Sequence, residues 1–138
     1  MKKIGLILFV ILLSFQAQAQ FAVAFHQSNL PMIEGTYTFE NKINAHLRFA
    51  SDVSFNDFSP EIAGSYNFVE KEDLNFYGGL GFRFNAFESV VLPVGVQFYP
   101  FAEKRFGFHI EAAALIATGS NFNPDVFRGS WGIRYRFN

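Results

Sequence analysis

Ten side chains carry the charge or the proton-transfer capacity from which chemistry could be built: Glu34, Glu61 and Glu111, then Arg48, Arg83, Arg134 and Arg136, and the imidazoles of His26, His46 and His109. Carboxylates and guanidiniums brought together form charge-assisted, often bidentate hydrogen bonds. Imidazoles can hold a metal or move a proton. One short stretch joins two such functions, because His26 stands two residues from Ser28. On one strand face a base at that spacing can activate a hydroxyl, with an acid such as Glu34 to orient it. His26, Ser28 and Glu34 are therefore the candidate catalytic group. The three histidines have no tight spacing motif, so no metal site and no cofactor are assigned. Gly78-Gly79-Leu80-Gly81 does not precede a helical pattern and is no phosphate loop. The chain has no cysteine, which removes disulfides and thiolate sites.

The elements that must position these groups show period-2 alternation in eight blocks separated by turn-type clusters. Phe21 to His26 sets Phe21, Val23 and Phe25 against Ala22, Ala24 and His26. Met32 to Glu40 sets Ile33, Gly35, Tyr37 and Phe39 against Glu34, Thr36 and Thr38. Ile43, Ala45, Leu47 and Phe49 alternate with Asn44, His46, Arg48 and Ala50. The fourth block, Phe58 to Val69, opposes Ile62, Gly64, Tyr66 and Phe68 to Glu61, Ala63, Ser65 and Asn67. The fifth and sixth place Phe76, Leu80 and Phe82, then Leu92, Val94 and Phe98, opposite Asn75, Tyr77 and Arg83, then Val91, Gln97 and Tyr99. The seventh runs through Phe106, Phe108 and Ile110 against His109 and Glu111. The eighth opposes Trp131, Ile133, Tyr135 and Phe137 to Ser130, Gly132, Arg134 and Arg136.

Each block thus has an aromatic or aliphatic face and a small, polar or charged face. That is the pattern of an eight-stranded antiparallel up-and-down transmembrane β-barrel, lipid-facing outside and polar inside. A soluble lipocalin-type barrel would carry the reverse, an apolar lumen and a wet exterior. Blocks near the ~9–11 residues of a tilted crossing fit the membrane class, and backbone groups in hydrocarbon oblige the sheet to close. Short charged turns at Glu40-Asn41-Lys42, Glu70 to Asp73 and Ala102-Glu103-Lys104 are expected on the periplasmic rim. Gln27 to Pro31, Ser51 to Asp57, Asn85 to Glu88 and Thr118 to Val126 are expected outside the cell. The aromatics bunched beside the charged turns, among them Tyr37, Phe39, Tyr66, Phe68, Phe76, Phe98, Phe106 and Phe108, read as an interfacial girdle.

Residues 1–19 have the form of a secretory signal peptide: Met1-Lys2-Lys3, an apolar run from Ile4 to Leu13, and a small-x-small site at Ala17-Gln18-Ala19. The run is about half of the ~20 residues a membrane helix needs. Residues 20–138 are then one domain, the barrel. The chain's formal charge of −1 falls further when two lysines leave with the signal, so no nucleic-acid partner is implied. Twenty Phe exceed what a soluble core of this size can hide.

The end of the chain, Ser130-Trp131-Gly132-Ile133-Arg134-Tyr135-Arg136-Phe137, resembles the C-terminal signal through which outer-membrane barrels reach their insertion machinery: polar-x-Gly-x-x-aromatic-x-aromatic, carried by Ser130, Gly132, Tyr135 and Phe137. Here Asn138 follows the aromatic that usually closes the chain. The mature chain resembles the small OmpA/OmpX-like barrels, and its Phe-rich style resembles barrels of Bacteroidota. The resemblance implies an outer-membrane location, lipid and the insertion machinery as partners, and no particular activity. His26-Gln27-Ser28-Asn29 resembles the His-x-Ser-Asn stretch of outer-membrane lipid A deacylases. That family's catalytic group faces lipid, whereas the register here turns His26 inward.

An eight-stranded barrel is just wide enough for its own side chains. The lumen is therefore expected to hold a polar network of Glu34, His46, Arg48, Glu61, Arg83, His109, Glu111, Arg134 and Arg136, and not a diffusion pore. The expected role is structural or surface-interacting, by a monomer whose outer loops meet an extracellular partner. A lipid A-modifying enzyme and a soluble periplasmic ligand-binding barrel are the alternatives. Hydrolysis of lipid A that is lost in Ser28→Ala and His26→Ala marks the first, and recovery in the periplasm without detergent marks the second.

Overall fold

A computed structural model describes residues 19–51, 59–85, 87–119 and 124–137. The signal-peptide reading, apart from the backbone of Ala19, and most of the Ser51 to Asp57 loop lie outside these residues, as do residues 120–123 within the expected Thr118 to Val126 loop. Eight strands follow in chain order: β1 (Ala19–Ser28), β2 (Met32–Phe39), β3 (Ile43–Ala50), β4 (Pro60–Glu70), β5 (Leu74–Arg83), β6 (Ser89–Phe98), β7 (Phe106–Ala117) and β8 (Val126–Phe137). Each pairs antiparallel with its neighbours in sequence, and β1 pairs with β8 to close the barrel. Closure leaves no strand edge to satisfy, the condition that hydrocarbon imposes on any spanning sheet.

The alternation read from the sequence is the alternation of burial. Phe21, Phe25, Ile33, Leu47, Ile62, Phe82, Val94, Ile110 and Trp131 are exposed, while Glu34, Arg48, Glu61, Glu111 and Arg134 between them are buried. Phe127 is 72% exposed and Arg48 is 0% exposed, an inversion of the partition found in water-soluble proteins. A lipocalin-type arrangement is the opposite of this one.

The two ends of the barrel differ. The end holding the connections β2–β3, β4–β5 and β6–β7 also holds the start of β1 and the finish of β8, since Phe21 pairs with Phe137. Outward rings touch one another around this turn end: Tyr37 with Phe39 at 4.6 Å between centroids, Phe106 with Phe108 at 5.5 Å, Tyr135 with Phe137 at 5.0 Å. The β2–β3 link has Glu40 at φ 48° and Asn41 at φ 59°, with Lys42 N donating to Phe39 O at 3.0 Å. Two left-handed residues at the centre of this turn give it type I′ geometry, and because Phe39 pairs with Ile43 the connection is three residues long, with Lys42 the extra one. Glu40 is a poor occupant of that conformation, which costs a non-glycine residue about 1–2 kcal/mol. Replacing Glu40-Asn41 by Asn-Gly is expected to stabilise the barrel by about 1 kcal/mol in urea unfolding of detergent-folded protein.

Two irregularities have local causes. The β4–β5 register shifts between Asn67 and Val69, a bulge close to the turn end. Pairing of β5 with β6 lapses between Gly78↔Val94 and Gly81↔Val91, beside Pro93, which has no N–H to give to the ladder. Several strands run beyond the sequence blocks, β1 at both of its ends. β7 runs on to Ala117 and β8 starts at Val126, four residues before Ser130. Both extensions carry inward residues that matter below, Leu115 and Arg128.

Candidate functional site: the barrel lumen

The interior divides into three levels. At the loop end, Val91, Ala113 and Leu115 are buried together, with Leu30, Phe87 and Val126 packed against them. This apolar plug is a departure from a uniformly polar lumen. Leu30 and Phe87 reach it from the β1–β2 and β5–β6 connections, so small and branched side chains fill this end and no charge there needs a partner.

Below the plug lies a charge network built by register. Glu34 is directly opposite Arg48, Arg48 opposite Glu61, and Glu61 opposite Arg83, an alternating row across β2 to β5. Arg48 extends across the lumen and uses all three of its nitrogens. Nε donates to Glu34 Oε2 at 2.6 Å, Nη1 to Glu61 Oε1 and Glu111 Oε1 at 2.9 Å each, and Nη2 to Glu111 Oε2 at 2.6 Å. Arg128 closes the other side, with Nη1 and Nη2 on Glu61 at 2.7 and 2.9 Å. Tyr77 donates its hydroxyl to Glu111 Oε2 at 2.6 Å. Gly95 makes room for that ring, since a Cβ there would come within 2.6 Å of Tyr77 Cζ. Planar guanidinium forks answer paired carboxylate oxygens here, the geometry in which such buried charges can be compensated.

Arg128 is the residue that the sequence reading missed. Phe127 and Gly129 continue the outward parity of Trp131, which turns Arg128 inward, so the alternation itself was the available signal. Thr36 and Ser65 were placed inward but not counted among the network. Thr36 Oγ1 donates to Glu34 Oε1 at 2.6 Å and lies 3.1 Å from His46 Nδ1, while His46 Nε2 lies 2.7 Å from Ser65 Oγ. Arg83 faces inward and is buried, in register beside Glu61. His109 packs against His26 with ring centroids 4.1 Å apart and the planes tilted by 46°.

His26, Ser28 and Glu34 are only partly gathered. His26 Nε2 lies 3.0 Å from Glu34 Oε2, but its Nδ1 faces Ser130 Oγ at 3.3 Å. Ser28 Oγ instead accepts from Leu30 N at 2.9 Å, a turn contact that fixes the β1–β2 link. His26, Glu34 and Ser130 are all at least 96% buried in the lumen, with the plug on one side and the charge network around them. Among the described residues, no group of His, Cys, Asp or Glu has a metal-binding arrangement.

The third level, at the turn end, is a cavity of about 510 Å³. Arg134, Arg136, Gln97, Tyr99, Asn75 and Lys104 are among the residues lining it. Arg136 therefore stands apart from the central network. Its guanidinium lies 3.6 Å from the Tyr99 ring centroid, a cation–π stack. With the Asn75 amide nitrogen turned to the Lys71 and Leu74 carbonyls, its oxygen accepts from Arg136 Nη2 at 3.0 Å. Arg134 joins the two levels, donating to Thr36 Oγ1 at 3.3 Å with Glu34 Oε1 at 3.7 Å.

No protein-family model matches the chain, and the curated proteins contain no match. Solved structures do match in fold. The solution structure of the de novo designed TMB2.3 aligns with a TM-score of 0.61 at 17% identity, covering 88% of this chain and 94% of that one. The N-terminal β-barrel domain of Pseudomonas aeruginosa OprF aligns at 0.57 and 12% identity, covering 86% and 96%. The Yersinia pestis outer membrane protein Ail, determined in a phospholipid bilayer nanodisc, aligns at 0.51 and 15%, covering 87% and 99%. The chain is similar to these proteins as an eight-stranded barrel of the transmembrane type.

Proposed function

We infer that the protein is an outer-membrane β-barrel of the small OmpA/OmpX-like class, whose role is to occupy the membrane and present its loop end at the cell surface. The observation that carries this is the inversion of the two faces: a continuous apolar exterior around a buried cluster of glutamates and arginines. Exposed to water, an apolar surface of that extent would drive association, whereas in lipid it is the expected solvent-facing band. The ring contacts at the turn end supply one interfacial girdle, and that end, bearing the start of β1 and the finish of β8, faces the periplasm. The filled lumen supports a monomeric membrane element over a pore, because the plug and the Arg48 cluster lie across the path. Chemistry on lipid is not supported by the placement of His26, which is sealed inside while Ser28 serves a turn.

Fractionation tests the reading. The protein expressed with its leader is expected in the outer-membrane fraction, and unboiled samples are expected to migrate differently from boiled ones, as a closed barrel resists detergent unfolding. Recovery in the soluble periplasm with no such shift would overturn the assignment.

A further inference from the structure

We propose that the turn-end cavity is a binding site for a small hydroxyl-bearing anion, a phosphate- or carboxylate-bearing molecule of about the size of one sugar ring, held by Arg134, Arg136 and Gln97. Its volume of about 510 Å³ is within the usual range of small-molecule sites. The apolar plug and the Arg48 cluster close its inner side, so it is a pocket with a floor and one mouth.

Its charge points to the ligand. Four cationic side chains and two carboxylates line it, in a chain whose formal charge is −1. The carboxylates are Glu70, the last residue of β4, and Glu72 in the turn that follows it. Among the described residues no carboxylate pairs with Arg136. Arg134 is 3% exposed, its nearest carboxylate oxygen is 3.7 Å away, and its Nε has no hydrogen-bond partner. Arg48 and Arg128, by contrast, meet carboxylates at 2.6–2.9 Å. Gln97, also 3% exposed, lines the same cavity with an unpartnered Nε2. Both unpartnered atoms are closed to solvent, so a small side-chain rotation has to turn them onto the anion, and doing so recovers the cost of leaving buried donors unsatisfied. The Tyr99 ring holds the Arg136 guanidinium flat, so its N–H edge is organised before a ligand arrives. Amides and a phenol complete the wall and suit hydroxyls, which both donate and accept.

The test uses the full chain folded in a neutral detergent and titrated calorimetrically with glucose 6-phosphate, glucose and inorganic phosphate. Saturable one-to-one binding of glucose 6-phosphate is expected, with inorganic phosphate at least about tenfold weaker and glucose silent. Arg136→Gln and Gln97→Leu are each expected to weaken the sugar phosphate about tenfold or more while keeping heat-modifiable migration. Because neither residue belongs to the central network, retained migration separates loss of binding from loss of fold. Three results overturn the proposal: no saturable binding of any probe, phosphate bound as tightly as the sugar phosphate, or affinity unchanged in both variants with the fold intact.

Discussion

Arg48→Ala is expected to abolish the folded barrel. Arg48 is the only side chain that touches Glu34, Glu61 and Glu111 together among the described residues, and all three carboxylates are about 99% buried. Removing one partner of a buried ion pair typically costs about 3–5 kcal/mol, because the other charge is left uncompensated. Here one deletion removes the shared partner of three carboxylates at once, so a loss of about 5 kcal/mol is expected even with Arg128 still on Glu61, comparable with the whole stability of many domains. The readout is the fraction showing heat-modifiable migration after refolding into detergent, with urea unfolding of whatever folds. Arg48→Lys keeps the charge but replaces a planar five-donor fork by a point cation, and is expected to fall between the parent and Arg48→Ala. Unfolding of Arg48→Ala within about 1 kcal/mol of the parent would show that the cluster is not what holds the lumen together.

Gly132→Ala is expected to break the closing seam. Gly132 lies on β8 opposite His26 of β1, and a Cβ there would run into the carbonyl oxygen of Phe25, with the Phe25 carbon at 2.9 Å and His109 Cε1 at 3.0 Å. The main obstacle is backbone, which cannot turn away as a side chain can. Forcing a methyl into packed surroundings costs about 1–3 kcal/mol, and the upper end or beyond is expected at a seam that all other pairings depend on. Gly129, three residues earlier on the same strand, has nothing within 4 Å of its Cβ position. Gly129→Ala is therefore expected to leave urea unfolding unchanged or slightly improved, and the pair isolates the clash from the general effect of losing a glycine. Equal behaviour of the two variants would refute the seam argument. Gly132 is also the glycine of the C-terminal signal pattern, so this contact supplies a structural reason for a small residue at that position.

Much of the architecture was legible because a strand shifted by one residue exchanges its entire inner and outer sets. With Phe, Ile and Leu on one parity and Glu, Arg and His on the other, a single facing is acceptable in each strand. Part of the charge row was legible too. The three-residue Glu40-Asn41-Lys42 connection pairs Phe39 with Ile43, and that register puts Glu34 against Arg48. Height inside the barrel was not legible. Arg48, Arg134 and Arg136 share the inward parity, but the stagger accumulated around eight strands sends Arg48 to the centre and Arg136 to the mouth. The three levels of the lumen follow from side-chain volumes summed across strands distant in sequence, and no local pattern encodes that sum. Arg128 escapes the sequence reading for a simpler reason, since the most regular alternation of the last block begins only at Ser130.

The most direct measurement of the inverted faces uses the single tryptophan. Trp131 lies midway along β8, 62% exposed on the outer face. After folding into phospholipid vesicles, its fluorescence is expected to be blue-shifted, strongly quenched by lipids brominated on their acyl chains, and insensitive to iodide in the water. Quenching by iodide with no effect of the brominated lipids would place that face in water and contradict the membrane barrel.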